Sequence, residues 1–256
     1  MASFDVIIPF YNSYETLNDA VDSILQQKLQ TVELGRIIIV DDGSFNKLRI
    51  DFFDQTAQGL IEIVYKPNGG AASARNLGVC QSKSRYLSFL DSDDRWKSDK
   101  IETQIQELAR YGAGMCGCAS NMSNFINKSQ GIVGLKSQLF SNHFQTSTVL
   151  IDTFIINREE VYFPESQRFA EEGDLFLRLV GSYPCLYINR VMVDYAGGKA
   201  GSGVSGLSAN LVEMEKGELL NLARCYKRGQ IGLLSLVGYV GFSLVKFLRR
   251  IVSRGF

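Results

Sequence analysis

Asp91-Ser92-Asp93-Asp94 sets carboxylates two residues apart directly after an apolar run. Side chains at that spacing on extended backbone point to one side. Their hard oxygens suit Mg²⁺ or Mn²⁺, and a bound diphosphate can complete the coordination. The ion would then neutralise charge on a leaving nucleotide. Taken singly, such a cluster reads equally well as a solvated turn. Asp41-Asp42-Gly43-Ser44 has the same ambiguity, being good turn chemistry as well as a pair of acids. Asn68-Gly69-Gly70 opens a helical stretch that carries Arg75 and Asn76. Its glycines let backbone approach a ligand, and a helix amino terminus suits phosphate.

The elements that must position these clusters follow from the apolar pattern. Phe4–Pro9, Arg36–Asp41, Ile61–Lys66 and Tyr86–Leu90 are short, near-continuous apolar runs that read as buried strands. Between them Tyr14–Lys28 repeats Leu17, Val21, Ile24 and Leu25 on one helical face, and Phe45–Gln58 and Gly70–Ser82 also read as helices. Alternating strands and helices indicate a parallel sheet covered on both faces. Ligands of such sheets bind beyond the carboxyl ends of the strands. Pro9-Phe10-Tyr11-Asn12 and the three clusters above all fall there, so four polar segments converge on one rim.

The whole chain sets limits on function. With 256 residues, 45% of them hydrophobic, it can bury one sizeable core. Its net charge is zero, but all seven Lys/Arg from Leu219 onward lack an acid among them, which leaves the first 218 residues net negative. An acidic body with a basic tail excludes general nucleic-acid binding and suggests a tail that seeks a negative surface. The five cysteines (Cys80, Cys116, Cys118, Cys185, Cys225) are odd in number and scattered, and are expected to be reduced. The amino terminus leads straight into a strand with no basic and apolar leader, so a cytoplasmic protein is expected.

The segments Val-Ile-Ile-Pro-Phe-Tyr-Asn (6–12), Ile-Ile-Ile-Val-Asp-Asp-Gly-Ser (37–44), Asn-Gly-Gly-Ala-Ala-Ser-Ala-Arg-Asn-Leu-Gly (68–78) and Phe-Leu-Asp-Ser-Asp-Asp (89–94) resemble family 2 glycosyltransferases. Order and spacing match over roughly 4–110, and more weakly to about 195. The resemblance implies an α/β, Rossmann-like fold of the A type, with a mixed, mostly parallel sheet flanked by helices, and an inverting, metal-dependent transfer from a UDP-sugar. It implies that Pro9, Tyr11, Asp41, Asn68 and Arg75 hold the uridine, that Asp91 lies near the ribose, and that Asp93 ligates Mn²⁺ or Mg²⁺. Asp42 and Asp94 match the motifs too, and Asp42 is counted with the donor-binding residues.

Glu171-Glu172-Gly173-Asp174 resembles the family's acidic pair at a helix start, where Glu-Asp is usual and the second acid deprotonates the acceptor. Here that position is Glu172, one methylene longer, with Asp174 the competing candidate for the base. The same acids also suit any first helical turn. His143, the single histidine, is expected on the surface or in an acceptor cleft in preference to the metal. Trp96 is expected to pack, and the glycine-rich 197–206 either closes over the donor or serves as a connector.

The expected organisation is a transferase domain over 1–218, with a nucleotide half to about 110 and an acceptor half from 111, then a helical tail over 219–256. Gly229–Val245 is a run of seventeen uncharged residues that include four glycines, followed by Lys246, Arg249, Arg250 and Arg254. Seventeen is the lower limit for crossing a bilayer. A helix lying in the interface is therefore expected, with a helix pair packed on the domain as the alternative. That surface would bring a peripheral enzyme at the inner face of the membrane to polyprenyl-diphosphate-linked glycans, as in O-antigen or capsule synthesis, adding one sugar per visit. A nucleotidyltransferase would show a glycine-rich basic loop after the first strand, where Phe10-Tyr11-Asn12-Ser13 stands instead. A catalytically silent donor-binding subunit would not need Asp91, Asp93 and Glu172.

Overall fold

The computed structural model describes residues 1–122, 128–195 and 210–253. The first half follows the expected alternation: β1 (Ala2–Phe10), α1 (Tyr14–Leu25), β2 (Val32–Asp41), α2 (Gln55–Gln58), β3 (Ile61–Tyr65), α3 (Ala71–Gln81) and β4 (Tyr86–Phe89). Strands β3, β2, β1 and β4 lie side by side and parallel. In register, Phe10 pairs with Asp41 and Asp41 with Tyr65, so three strands finish in one row. That row is the rim.

One expected helix is not there. Most of 45–58 is irregular, with a single 3-10 turn at Ile50–Phe52 and the four-residue α2. The reason lies in Asp41, whose carboxylate accepts the backbone N–H groups of Ser44 (2.9 Å) and Leu48 (3.1 Å). Those bonds fold the segment back onto the rim, in place of a helical ladder.

The second half turns the sheet from parallel to mixed. It comprises β5 (Arg95–Trp96), α4 (Lys100–Tyr111), β6 (Met115–Ser120), β7 (Gly131–Ile132), α5 (Leu135–Phe140), β8 (Leu150–Asp152), α6 (Glu171–Ser182) and β9 (Cys185–Asp194). β8 is antiparallel to both β4 and β6, β9 is parallel to β6, and the short β5 and β7 pair antiparallel with β9. Two apolar layers cover the sheet's faces, one built around Phe4, Val6, Ile8 and Leu17, the other around Ile7, Phe89, Phe144 and Leu179. The alternation of Val6, Ile7 and Ile8 between layers shows why β1 must be apolar throughout. Of the cysteines, all but the exposed Cys80 are buried, and all five are free thiols.

The carboxyl-terminal segment is an antiparallel-packed pair, α7 (Leu211–Lys227) and α8 (Leu233–Ser253). The boundary expected after 218 falls inside α7, which packs on α6. Leu222 and Cys225 of α7 join Leu139 and Leu177 in a third apolar cluster, against which Leu236, Tyr239 and Val240 of α8 pack. No helix among the described residues is long and apolar enough to cross a membrane.

Candidate active site

The rim is cross-linked by its own acids. The Asp42 carboxylate accepts the N–H groups of Gly69 (2.9 Å) and Gly70 (2.7 Å) and pairs with Lys66, while the Asn68 side chain donates to the Asp42 carbonyl (2.9 Å). The turn after β2 and the turn after β3 are thereby one unit. Gly43 is required between them: its φ is +76°, and a Cβ there would stand 2.7 Å from the Asn68 nitrogen. Asp41 is buried with both oxygens committed to loop N–H groups. Asp41 and Asp42 thus hold the rim's loops together, while Tyr11, Asn68 and Asp93 stand exposed along it and Pro9 is half-buried.

Arg75 is the centre of the site. Buried on α3, it donates from Nη2 to Asp91 (2.7 Å) and from Nη1 to Glu171 (3.0 Å), over the face of Phe163. Burial opposes its charge, but Asp91, Glu171 and Glu172 outweigh that and raise its pKa above the ordinary arginine value. Its Nε is buried and has no partner, an unused donor in a polar cleft. The bridge joins residue 75 to residue 171, so the helix start on α6 is brought to the donor rim.

Glu172 follows at once. Burial, and then the neighbouring Glu171 carboxylate, push its pKa up to about 7, with Arg75 pulling the other way. A carboxylate so tuned is a competent proton acceptor near neutral pH. Asp174 is engaged otherwise: it is buried and accepts from Arg178 Nε (3.0 Å) and Arg228 Nη1 (2.7 Å). Doubly paired and buried, it braces α6 against the end of α7. The turn before α6 is strained, since Ala170 has φ +54°. Asn221 of α7 holds it there, donating to the Ala170 carbonyl (2.8 Å). Among the described residues the other non-glycine at positive φ, Asn12, is also on the rim, as strained residues at functional sites often are.

Three further residues complete the site; Glu171 belongs to the acidic pair at the helix start, whereas motif spacing did not reveal Ser147 or Tyr195. Glu171 is the salt-bridge partner that fixes Arg75. Ser147, fully buried, donates to Asp94 (2.6 Å) and accepts from the Asp91 N–H (3.1 Å), and its carbonyl accepts from Trp96 Nε1 (2.8 Å). It sets the shape of the acidic turn. Tyr195 follows β9, where burial and the carboxylates of Asp94, Asp91 and Glu172 hold its phenol protonated. Trp96 is buried, as expected, with Lys100 against its ring.

The acidic turn suits a divalent cation by its chemistry. Asp93 lies at the rim, where partial desolvation and then the nearby Asp91 carboxylate raise its pKa, so a cation there would relieve like-charge repulsion. Asp91 engages Arg75 through Oδ1 alone. No cluster of three or more candidate ligands occurs among the described residues, so carboxylate oxygens would have to be supplemented by a bound diphosphate. His143 lies elsewhere, against Ser137 and the Tyr187 ring, with its pKa lowered to about 4 by burial and Lys128. The 197–206 segment lies outside the described residues.

Known proteins bear the same pattern. Glycosyltransferase GlyG of Streptococcus pneumoniae is 29% identical over 210 residues, covering 72% of this chain and 67% of its own. The minor teichoic acid biosynthesis protein GgaA of Bacillus subtilis is 26% identical over 192 residues, covering 69% and 43%. The chain thus spans about two thirds of one relative and less than half of the other. Among solved structures, S. aureus TarS (1–349) in complex with UDP superposes with a TM-score of 0.69 at 15% identity, over 98% of this chain and 72% of that one, which establishes the A-type glycosyltransferase fold. The sequence profile of glycosyl transferase family 2 matches residues 5–162, the stretch that holds the entire donor rim. On that match the chain belongs to glycosyl transferase family 2.

Proposed function

We propose that this protein is an inverting, metal-dependent glycosyltransferase that moves one sugar from a UDP-sugar to a glycan acceptor carried on polyprenyl diphosphate, in the synthesis of a surface polysaccharide. The observation that carries the reading is Glu172, held beside the Arg75–Asp91 pair although nearly a hundred residues separate them in sequence. UDP in the TarS complex supports a nucleotide on the rim, and the name of GgaA supports a role in cell-surface polymers.

Tyr11, Asn68 and Arg75 would hold the uridine, with Pro9 beside them and Asp41 and Asp42 shaping the loops. Asp93, with Asp91, would hold Mn²⁺ or Mg²⁺, whose charge when bound offsets that on the leaving diphosphate. Glu172 accepts the proton of the acceptor hydroxyl as its oxygen forms a bond to the anomeric carbon. The bond from that carbon to the diphosphate oxygen breaks on the opposite face, so configuration inverts and UDP leaves.

Contact with the inner face of a membrane is supported by α8. Leu234, Val237, Val245, Leu248 and Val252 form a helical stripe, at least 60% exposed at each, that is left uncovered by the described residues. The electrostatic support is smaller than composition suggested. Arg228 pairs with Asp174, and Lys246 and Arg250 pair with Glu218 and Glu215, all acids upstream of the tail.

The test is release of UDP from a panel of UDP-sugars by the purified protein with Mn²⁺ and acceptor lipids. Release with none of them, from protein that binds UDP, would overturn the transferase reading in favour of a donor-binding subunit.

A further inference from the structure

Glu172 faces two ways. On one side are Arg75 and Asp91, and on the other it enters a cleft of about 170 Å³ between α5, α6, α7 and α8. Ala170 and Gly173 line the cleft beside it, Gln138 and Asn142 come from α5 and the turn after it, and Met214 and Leu222 come from α7. From α8 come Tyr239, Phe242 and Lys246. More than half of its wall is therefore made by residues after 210, well beyond the family match, which ends at residue 162.

We propose that this cleft is the acceptor subsite, and that it takes the terminal hexose of the acceptor. The proposal rests on the transferase reading above. Chemistry selects the occupant. A pyranose has apolar C–H faces and a polar rim, and the cleft offers both complements: aromatic rings on one wall, side-chain amides on another. Phe242 and Tyr239 are braced edge-to-face by Phe140, at 5.2 Å from each ring, so the aromatic wall is pre-formed. Gln138 donates to Asn142 Oδ1 (2.7 Å), and the N–H groups of His143 and Phe144 hold the two amide oxygens, so the pair presents its remaining amide N–H donors from a fixed geometry. Lys246, held across the mouth by Glu218 and the Phe242 ring, adds a cation near the opening. The volume lies below the roughly 300–1,000 Å³ of sites that enclose a drug-sized ligand. It suits a single ring. A hydroxyl of that ring reaches Glu172 at the inner end, where the donor's anomeric carbon is presented from the rim.

The geometry also gives α8 two duties. Its inner face lines the cleft, and its outer apolar stripe lies one helix-width away, so a lipid-linked sugar bound inside keeps its lipid on the side where the stripe is exposed. The tail is part of the acceptor site as well as an attachment.

The experiment uses the full chain and octyl β-glycosides of glucose, galactose and N-acetylglucosamine as probes, with UDP release as the readout and UDP affinity by calorimetry as the check of folding. At least one probe should stimulate release by wild type. Phe242→Ala should raise its KM by roughly tenfold with kcat little changed, the signature of lost ground-state contact. Met214→Trp, which fills the cleft from a half-buried position, should abolish stimulation. Variants that bind UDP like wild type yet use the probe with wild-type KM would overturn the subsite and leave the transferase reading standing. UDP release from wild type that no probe stimulates would overturn it as well. Wild type that releases no UDP from any UDP-sugar would remove the transferase reading, and the subsite with it.

Discussion

Glu172 is costly to keep and useful for that reason. Its pKa is raised from the free value near 4.5 to about 7, so the folded state binds a proton more readily than the unfolded chain between those limits. Stability from this group therefore falls as pH rises from 4.5 towards 7, and the full penalty is present above 7. Glu172→Gln should melt higher than wild type at pH 8, with the difference vanishing at pH 4.5, while turnover at pH 8 falls by roughly 10²–10⁴. Wild-type transfer should decline as pH drops through about 7, and a rate insensitive to pH between 6 and 8 would refute this. Asp174→Asn should do the reverse of Glu172→Gln. It removes the carboxylate that pairs with Arg178 and Arg228 and should cost on the order of 3 kcal/mol in chemical denaturation. At the acidic turn, Asp93→Ala should leave melting unchanged and abolish transfer, and EDTA should silence wild type until Mn²⁺ or Mg²⁺ is restored. Full activity in EDTA would exclude a metal-dependent reaction.

At the scale of elements, the site depends on packing that holds loops at their ends. α7 is positioned against the strained turn that precedes α6: a Cβ on Gly217 would stand 2.2 Å from the Phe169 carbonyl oxygen. Gly217→Ala must push α7 away, loosening the Asn221 bond to Ala170. The expected cost is about 1–3 kcal/mol, as for other overpacked sites. Turnover should fall while UDP affinity persists, because Arg75 and the rim belong to other elements. Equal losses of both would show that α7 supports the whole fold and not the turn. The α7–α8 seam is polar at its centre, where Ser243 donates to Glu215 (2.8 Å) and Arg250 reaches Glu215 and Glu218. This pairing orients α8 so that its apolar faces point one to the cleft and one to solvent.

Across the whole molecule, an acidic, mixed-sheet body carries a helix with an unpartnered apolar stripe. Removing α8 entirely would uncover Leu139, Leu177 and Leu222, so truncation is a poor test of membrane contact. Point changes are better. Leu234→Ser with Leu248→Ser should leave melting within about 0.5 kcal/mol of wild type, as surface substitutions do. Flotation with anionic vesicles should drop sharply, because apolar burial supplies about 25 cal/mol per Å². Unchanged flotation would mean that the stripe does not meet lipid. Because three of the tail's cations are already paired within the chain, added salt should weaken vesicle binding only modestly.

The chain's periodicity and its motif residues were sufficient to determine the alternating first half, the convergence of four strand ends on one rim, and the family. Those features are local: a strand must be apolar on both faces to lie in a covered parallel sheet, and polar residues are then left to its ends. What sequence could not determine was which acids are free to act. Asp41 and Asp42 stand in the same motif as any ligand-binding pair, yet loop N–H groups consume their oxygens. Asp174 and Glu172 are alike by spacing, and the pairing of Asp174 with Arg178 and with Arg228, fifty-four residues downstream, is visible only in the structure. The expected helix at 45–58 failed for the same reason, because one buried carboxylate outweighed local propensity. That three of the tail's cations are paired was likewise hidden, since their partners lie before residue 219. The Asp41 bonds are short in sequence but belong to no helical or strand repeat, and the Asp42 and Asp174 contacts join residues distant in sequence; hydrogen bonds and ion pairs of either kind leave no periodic trace. Tertiary structure alone brought residue 171 to residue 75, and with it Glu172 into the field of Arg75 and Asp91 on the rim.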